Sequence, residues 1–141
     1  MLVKQLSIFL ENKSGRLAEA LGTLGEESIN IKALTIADTA EFGIVRMIVS
    51  DPEKGYRILQ QKGFSANLVD VISIATPSEC GSFARALKIL SDEGISIEYI
   101  YAFSVGDKAA IILRTEDTDR AVESIGRHNM ELLGGSQISD F

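Results

Sequence analysis

The sequence predicts an α+β fold: two βαββαβ units in tandem, over residues 1–70 and 71–141, with antiparallel sheets and the helices on one face. Three observations predict it. First, the chain matches itself. Displaced by 66 residues it aligns without a gap through most of its length. Ser7 and Ile8 fall on Ser73 and Ile74, Gly15 on Gly81, Leu21 and Leu24 on Leu87 and Leu90, Ile29 and Ile31 on Ile95 and Ile97, and Asp51 on Asp117. Second, segments of period two alternate with segments of helical period within each copy. Third, clusters of turn-forming residues separate them. A solenoid needs about three repeats or more, so two copies read as a pseudo-symmetric pair, the single-chain form of a twofold dimer.

The elements follow in order. Residues 3–10 alternate, with Leu6, Ile8 and Leu10 on one side and Gln5 and Ser7 on the other, as in a half-buried strand. Glu11 to Gly15 form a turn cluster. From Arg16 to Glu27, Leu17, Leu21 and Leu24 recur at helical spacing, and Ser14 or Asn12 is the expected cap. A second strand starts at Ile29-Asn30-Ile31 and runs to about Asp38, and a third covers Phe42 to Ser50. Asp51-Pro52-Glu53 is a helix start: a capping carboxylate, a proline in the first turn, then an acid. That helix reaches Lys62, where Gly63 ends it.

The second copy repeats the order. It has a strand near Val69–Thr76, a turn over Pro77–Gly81, and a helix over Ser82–Glu93. Strands at Ile95–Phe103 and Lys108–Thr115 come next. A helix opened by Asp117 runs to about Asn129, and a closing strand is expected near Leu132–Ile138. Residues 66–76 must end one copy and begin the next, as one long strand with a break near Asp70. The order is the split βαβ of ferredoxin-like folds, and right-handed crossovers place both helices of a unit on the same face.

Composition narrows the function. Hydrophobic residues make up 45% and charged residues 24%, which is a globular balance rather than a disordered one. The net charge is −6, and 14 basic residues are scattered among 20 acidic ones. Nucleic acid and anionic membranes both require clustered cations, so neither is expected as a partner. No stretch approaches the ~18 apolar residues of a membrane span. The N-terminal apolar run lacks the flanks of a signal peptide. A single cysteine, Cys80, has no internal disulfide partner, and a cytoplasmic protein is the expectation.

Two further stretches carry a resemblance. The turn Glu11-Asn12-Lys13-Ser14-Gly15-Arg16-Leu17, followed after the first helix by Ser28-Ile29-Asn30-Ile31, resembles the ACT domain. Pro77-Ser78-Glu79-Cys80-Gly81-Ser82-Phe83 and Gly94-Ile95-Ser96-Ile97 repeat the pattern with serines in place of both asparagines. The resemblance covers the whole chain as two such units. It implies units paired side by side into one sheet, with a free amino acid bound where the first turn of one unit meets the second strand of another. Carried over residue by residue, Asn12 and the backbone of Lys13, Ser14, Gly15, Arg16 and Leu17 would then face Ser96, Ile97 and Tyr99. Ser78 and the backbone of Glu79, Cys80, Gly81, Ser82 and Phe83 would face Asn30 and Ile31. The serines make the two sites inequivalent.

The residue types suit such a ligand on their own chemistry. Glycine permits close backbone approach, amides at a helix N-terminus suit a carboxylate, and asparagine offers both a donor and an acceptor. Each also has a plainer reading. Gly15 and Gly81 can be turn glycines, and Asn12 and Asn30 capping residues. Tyr99, Tyr101 and Phe103 alternate on one strand as packing residues would, with Tyr99 a candidate pocket wall. His128 suits the C-terminal end of the last helix. One Cys and one His supply neither a nucleophilic pair nor a metal ligand set, so no cofactor and no enzymatic activity are expected.

The sequence therefore points to a non-catalytic binder of a free amino acid, aromatic or branched first, histidine or small polar next. It is expected as a homodimer with output to a partner enzyme or regulator. The alternative is an oligomerisation or interaction module without a ligand. An enzyme of ferredoxin-like fold ranks last, and Arg46 or Arg114 beside Asn12 would reopen it.

Overall fold

A computed structural model describes residues 2–141. Chain contacts divide it into two units, which we call first (Lys4–Val69) and second (residues 2–3 with Asp70–Phe141). The first contains β1 (Val3–Glu11) from Lys4 onward, α1 (Arg16–Glu26), β2 (Ile31–Asp38), β3 (Phe42–Val49) and α2 (Pro52–Gln61). The second contains α3 (Ser82–Asp92), β5 (Ile97–Val105), β6 (Lys108–Thr115), α4 (Thr118–Arg127), β7 (Glu131–Leu132) and α5 (Gly135–Ser139). Strand β4 (Ser65–Pro77) runs through Asp70 without the break expected there, and gives its first part to one unit and its second part to the other.

In the first unit the strands run β2-β3-β1-β4. Both β1 and β2 pair antiparallel with β3, with Leu6 opposite Met47 and Ile36 opposite Val45. In the second, β4 and β5 flank β6 antiparallel, with Ile74 opposite Ile111 and Phe103 opposite Ala110, while β7 pairs with β4. Strand alternation then assigns the faces. Leu6, Ile8 and Leu10 on β1 and Val45, Met47 and Val49 on β3 meet Ala20 and Leu24 of α1 and Leu59 of α2 in one core. Ile72, Ile74, Ile111 and Leu113 meet Ala86 and Leu90 of α3 and Ala121 and Ile125 of α4 in the other. Burying one such Leu or Ile side chain is worth about 1.5–3 kcal/mol.

Helix starts follow the sequence at α2 and α4. Asp51 Oδ1 accepts the Lys54 amide and Asp117 Oδ1 accepts the Arg120 amide, the N-cap bond expected of a carboxylate. Helix α4 is closed by His128 at its C-cap, and the His128 Nδ1 lies 2.9 Å from the Ser124 carbonyl oxygen, at the helix end anticipated for it.

Two further expectations are overturned. Neither Ser14 nor Asn12 caps α1; the N-cap is Gly15, in the left-handed region at φ 84°, with no side-chain cap bond. The closing strand expected over residues 132–138 stops after Glu131–Leu132, and the chain turns at Gly134 into α5. Gly134-Gly135 supplies no side chains to pack against a sheet, and Gln137 Oε1 accepts the Gly134 amide at 2.7 Å, which starts a helical turn instead. No helix among the described residues is long and apolar enough to cross a membrane.

Candidate functional site

In the first unit, the turn after β1 is tied to the β2–β3 hairpin. The Asn12 amide N–H donates to the Glu41 carbonyl at 2.7 Å. The Asn12 side-chain Nδ2 donates to the carbonyls of Thr39 and Ala40, both at 3.3 Å. Its Oδ1 has no hydrogen bond among those of the described residues and stays available as an acceptor. The chain then passes through left-handed Gly15 into α1, whose first-turn amides receive no capping side chain. The Arg16 amide donates to the Lys13 carbonyl at 3.2 Å, while the amides of Leu17 and Ala18 behind it are orphans of the helix at its positive end. A cleft of about 180 Å³ opens beside them, lined by Leu10, Glu11, Asn12, Lys13, Leu17, Ile36, Asp38, Gly43 and Val45.

Of the residues anticipated for this turn, Asn12, Lys13 and Leu17 line the cleft, while Ser14 and Gly15 shape the backbone beside it. The Arg16 side chain is committed elsewhere: its Nη1 meets Glu19 Oε2 at 3.1 Å, and its guanidinium sits 4.3 Å from the centre of the Phe64 ring. Asn30 and Ile31 lie away from this cleft. The Asn30 amide donates to Ser50 Oγ at 2.9 Å and its carbonyl accepts the Ser50 amide at 2.9 Å, which leaves an exposed side chain at the entrance to β2. Sequence reasoning missed Ile36, Asp38, Gly43 and Val45. Their place comes from pairing across β3, with Gly43 opposite both Leu10 and Asp38. A strand register of that kind leaves no local motif.

The second unit builds the same turn with different chemistry. The Ser78 amide donates to the Asp107 carbonyl at 2.8 Å, the counterpart of the bond from Asn12 to Glu41, but no side-chain amide reinforces it. Gly81 caps α3 at φ 85°, again with no side-chain cap bond. A wider cleft of about 450 Å³ is lined by Ser78, Glu79, Cys80, Gly81, Phe83, Ala84 and Ser104. Ser82 is buried, with its Oγ accepting from Arg85 Nη2 at 3.1 Å, and Phe83 is exposed. Ser96 lines a separate cleft of about 590 Å³ with the acid-rich stretch Glu116–Asp119. On β5, Ile97 stands opposite Thr115 and packs on the core, and half-buried Tyr99 stands opposite Arg114. Neither arginine named in the enzyme alternative stands in the Asn12 cleft: Arg46 is opposite Ser7 and Thr35 on β3, and Arg114 Nε bonds Glu98 Oε2 at 3.2 Å.

The arrangement offers backbone donors at a helix N-terminus, a carbonyl-type acceptor, and apolar walls. That set suits a small molecule carrying a carboxylate and an ammonium.

Comparison with known proteins agrees with the fold. Residues 1–141 match the family model described as an ACT domain pair. The chain is similar to the acetolactate synthase small subunit of Haemophilus influenzae, at 32% identity over 74 residues, 52% of this chain and 45% of that protein. The acetolactate synthase small subunit of a Buchnera aphidicola strain is 28% identical over 87 residues, 60% of this chain and 54% of its own. The chain thus spans about half the length of the curated relatives it matches. Among solved structures, protein BT0572 from Bacteroides thetaiotaomicron is 44% identical and superposes with a TM-score of 0.95, covering 100% of this chain and 98% of that one. The regulatory subunit of aspartate kinase from Thermus thermophilus shares the fold at 16% identity, with a TM-score of 0.64 over 89% of this chain and 92% of that one.

Proposed function

Since the chain belongs to the ACT domain pair family, we propose that it is a non-catalytic regulatory module. It binds a free amino acid where the first turn of one unit meets the start of the second strand of another. Its output goes to a separate partner enzyme. The observation that carries the reading is the repeated opening of α1 and α3: a left-handed glycine at the N-cap in both units, and no side chain occupying the first-turn amides. A ligand carboxylate fits there, and Asn12 Oδ1 takes the ammonium. The walls of the first cleft, Leu10, Leu17, Ile36 and Val45, are aliphatic. They favour a branched apolar side chain ahead of the aromatic, histidine or small polar ones.

The partner class rests on the relatives, two of which are small subunits of acetolactate synthase. For ligand binding to be transmitted, its affinity must differ between two arrangements of the protein. A homodimer of four ACT units would supply such arrangements.

A thermal-shift screen against the twenty free amino acids tests the proposal. A ligand at a hundredfold over its Kd adds about 2.7 kcal/mol of stability. The expected result is a clear rise in Tm with one or two amino acids, lost in Asn12→Ala. A folded, unliganded sample that responds to none of the twenty overturns it. The serines at positions 78 and 96 favour a second reading, in which one pseudo-equivalent site is empty and serves only assembly.

A further inference from the structure

The last residues of the second unit leave the repeat and cover part of the sheet face opposite α3 and α4. Ile111 and Leu113 point to α3 and α4, so alternation turns Ala110 and Ile112 the other way, together with Ala75 and Phe103 opposite or beside them. Phe141 meets Phe103 edge-on at 5.4 Å between ring centres, and Leu133, bonded through its amide to the Ser73 carbonyl, is buried. The α5 segment therefore lies over this face.

The first unit shows what otherwise fills that place. Its counterparts of Ala75 and Lys108 are Phe9 and Phe42, whose rings stack at 4.9 Å. Replacing two rings by a methyl and a flexible cationic chain leaves a cleft of about 450 Å³. Its apolar walls are Ala75, Val105, Leu133 and Phe141. Its rim carries Lys108, Glu131 and Asp140, all exposed, and none of the three forms an ion pair among the described residues. Gln137 is held by its bond to Gly134, which fixes α5 as the roof.

We infer that this cleft is a second ligand site, separate from the turns after β1 and β4, for a free α-amino acid with a large apolar side chain. Lys108 takes the carboxylate, Glu131 and Asp140 take the ammonium, and the side chain enters between Ala75 and Phe141. One cation and two anions around an apolar floor complement a zwitterion better than a simple fatty or aromatic acid, which leaves both carboxylates unmatched.

The test is amide-resolved NMR of the full chain titrated with L-phenylalanine and L-leucine, with 3-phenylpropionate as the analogue lacking the ammonium. Saturable shifts are expected at Ala75, Val105, Lys108 and residues 133–141, and weaker ones with 3-phenylpropionate. Lys108→Gln, a surface change, should raise the Kd about tenfold, as loss of a charge-assisted hydrogen bond does. Ala75→Phe, which installs the ring of the first unit, should abolish the shifts, and Asn12→Ala should leave them intact. Shifts that spare the cleft, or cleft shifts that survive both Lys108→Gln and Ala75→Phe, overturn the inference. Shifts confined to residues 12–17 and 96–99 overturn it while leaving the proposed function standing. Shifts confined to the cleft support it and count against the turns as the ligand site.

Discussion

Gly55 and Ala121 hold the same place in the repeat, the fourth residue of α2 and of α4, yet the two units use that place differently. A Cβ on Gly55 would stand 2.9 Å from Leu6 Cδ2 and 3.4 Å from Leu24 Cδ2. Ala121 is fully buried with its methyl in the second core. The strand residue below differs as well: Leu6 in the first unit, Ile72 in the second. A γ-branched chain, with two methyls at its tip, is accommodated by removing a methyl from the helix above it. The same trade runs through the backbone. The turn after α1 puts Ser28 at φ 59° where the second unit has Gly94 at φ 71°. The turn after α2 has Gly63 at φ 85° where the second unit has Asn129 at φ 54°. The two units keep one frame and exchange volume and strain between neighbours within it.

The largest effect tests the frame itself. Leu24 and Leu90 are both fully buried at equivalent points of α1 and α3. Leu24→Ala and Leu90→Ala should each cost about 2–5 kcal/mol in chemical denaturation. A difference between them as large as the smaller of the two costs would break the equivalence of the cores.

A smaller effect tests the volume trade. Gly55→Ala gains about 1 kcal/mol of helix propensity but overpacks a core at a cost of about 1–3 kcal/mol, so net destabilisation is expected. Importing the strand residue of the second unit as well, in Leu6→Ile/Gly55→Ala, should recover part of the loss. If the double variant is less stable than the two single changes sum to, the two positions do not compensate each other.

The smallest effect tests the strain. Ser28→Gly should stabilise by a few tenths to about 1 kcal/mol by relieving a left-handed non-glycine residue. Gly94→Ser should destabilise by about 1 kcal/mol, since its Cβ meets only ordinary contact, 3.6 Å from Arg120 Nη2. Thermal unfolding of the two variants in parallel reads both signs, and equal signs would remove strain as the explanation.

Features that act over a few residues were legible in the sequence. The alternation of Leu6, Ile8 and Leu10, the Asp51-Pro52 start, Asp117 at α4 and the helix-ending glycine at 63 all fixed their elements to within a residue or two. The candidate turns were legible as turns, from Gly15 and Gly81. Features that depend on a distant partner were not. Ser14 has the right chemistry for a cap, but the left-handed turn at Gly15 places the glycine, and not the serine, at the N-cap. Asn12 was taken by carbonyls of Thr39 and Ala40, far along the chain. The closing strand failed because an apolar Leu132-Leu133 pair followed by Gly134-Gly135 suits a short bridge and a turn as well as a strand. The bond from the Gly134 amide to Gln137 and that from the Ile138 amide to the Gly134 carbonyl mark the helical outcome.

The first helix of each unit ends under a cation from the second helix. Lys54 Nζ donates to the Glu27 carbonyl at 3.0 Å, and Arg120 Nη2 donates to the Glu93 carbonyl. The geometry is shared but the reactivity is not. A primary amine is open to acylation and loses its charge, whereas a guanidinium keeps its charge under the same reagent. An amine-directed acylating reagent thus loosens the end of α1 in one half of the chain and leaves the matching end of α3 fastened, which makes two halves that are alike in shape distinguishable by chemistry.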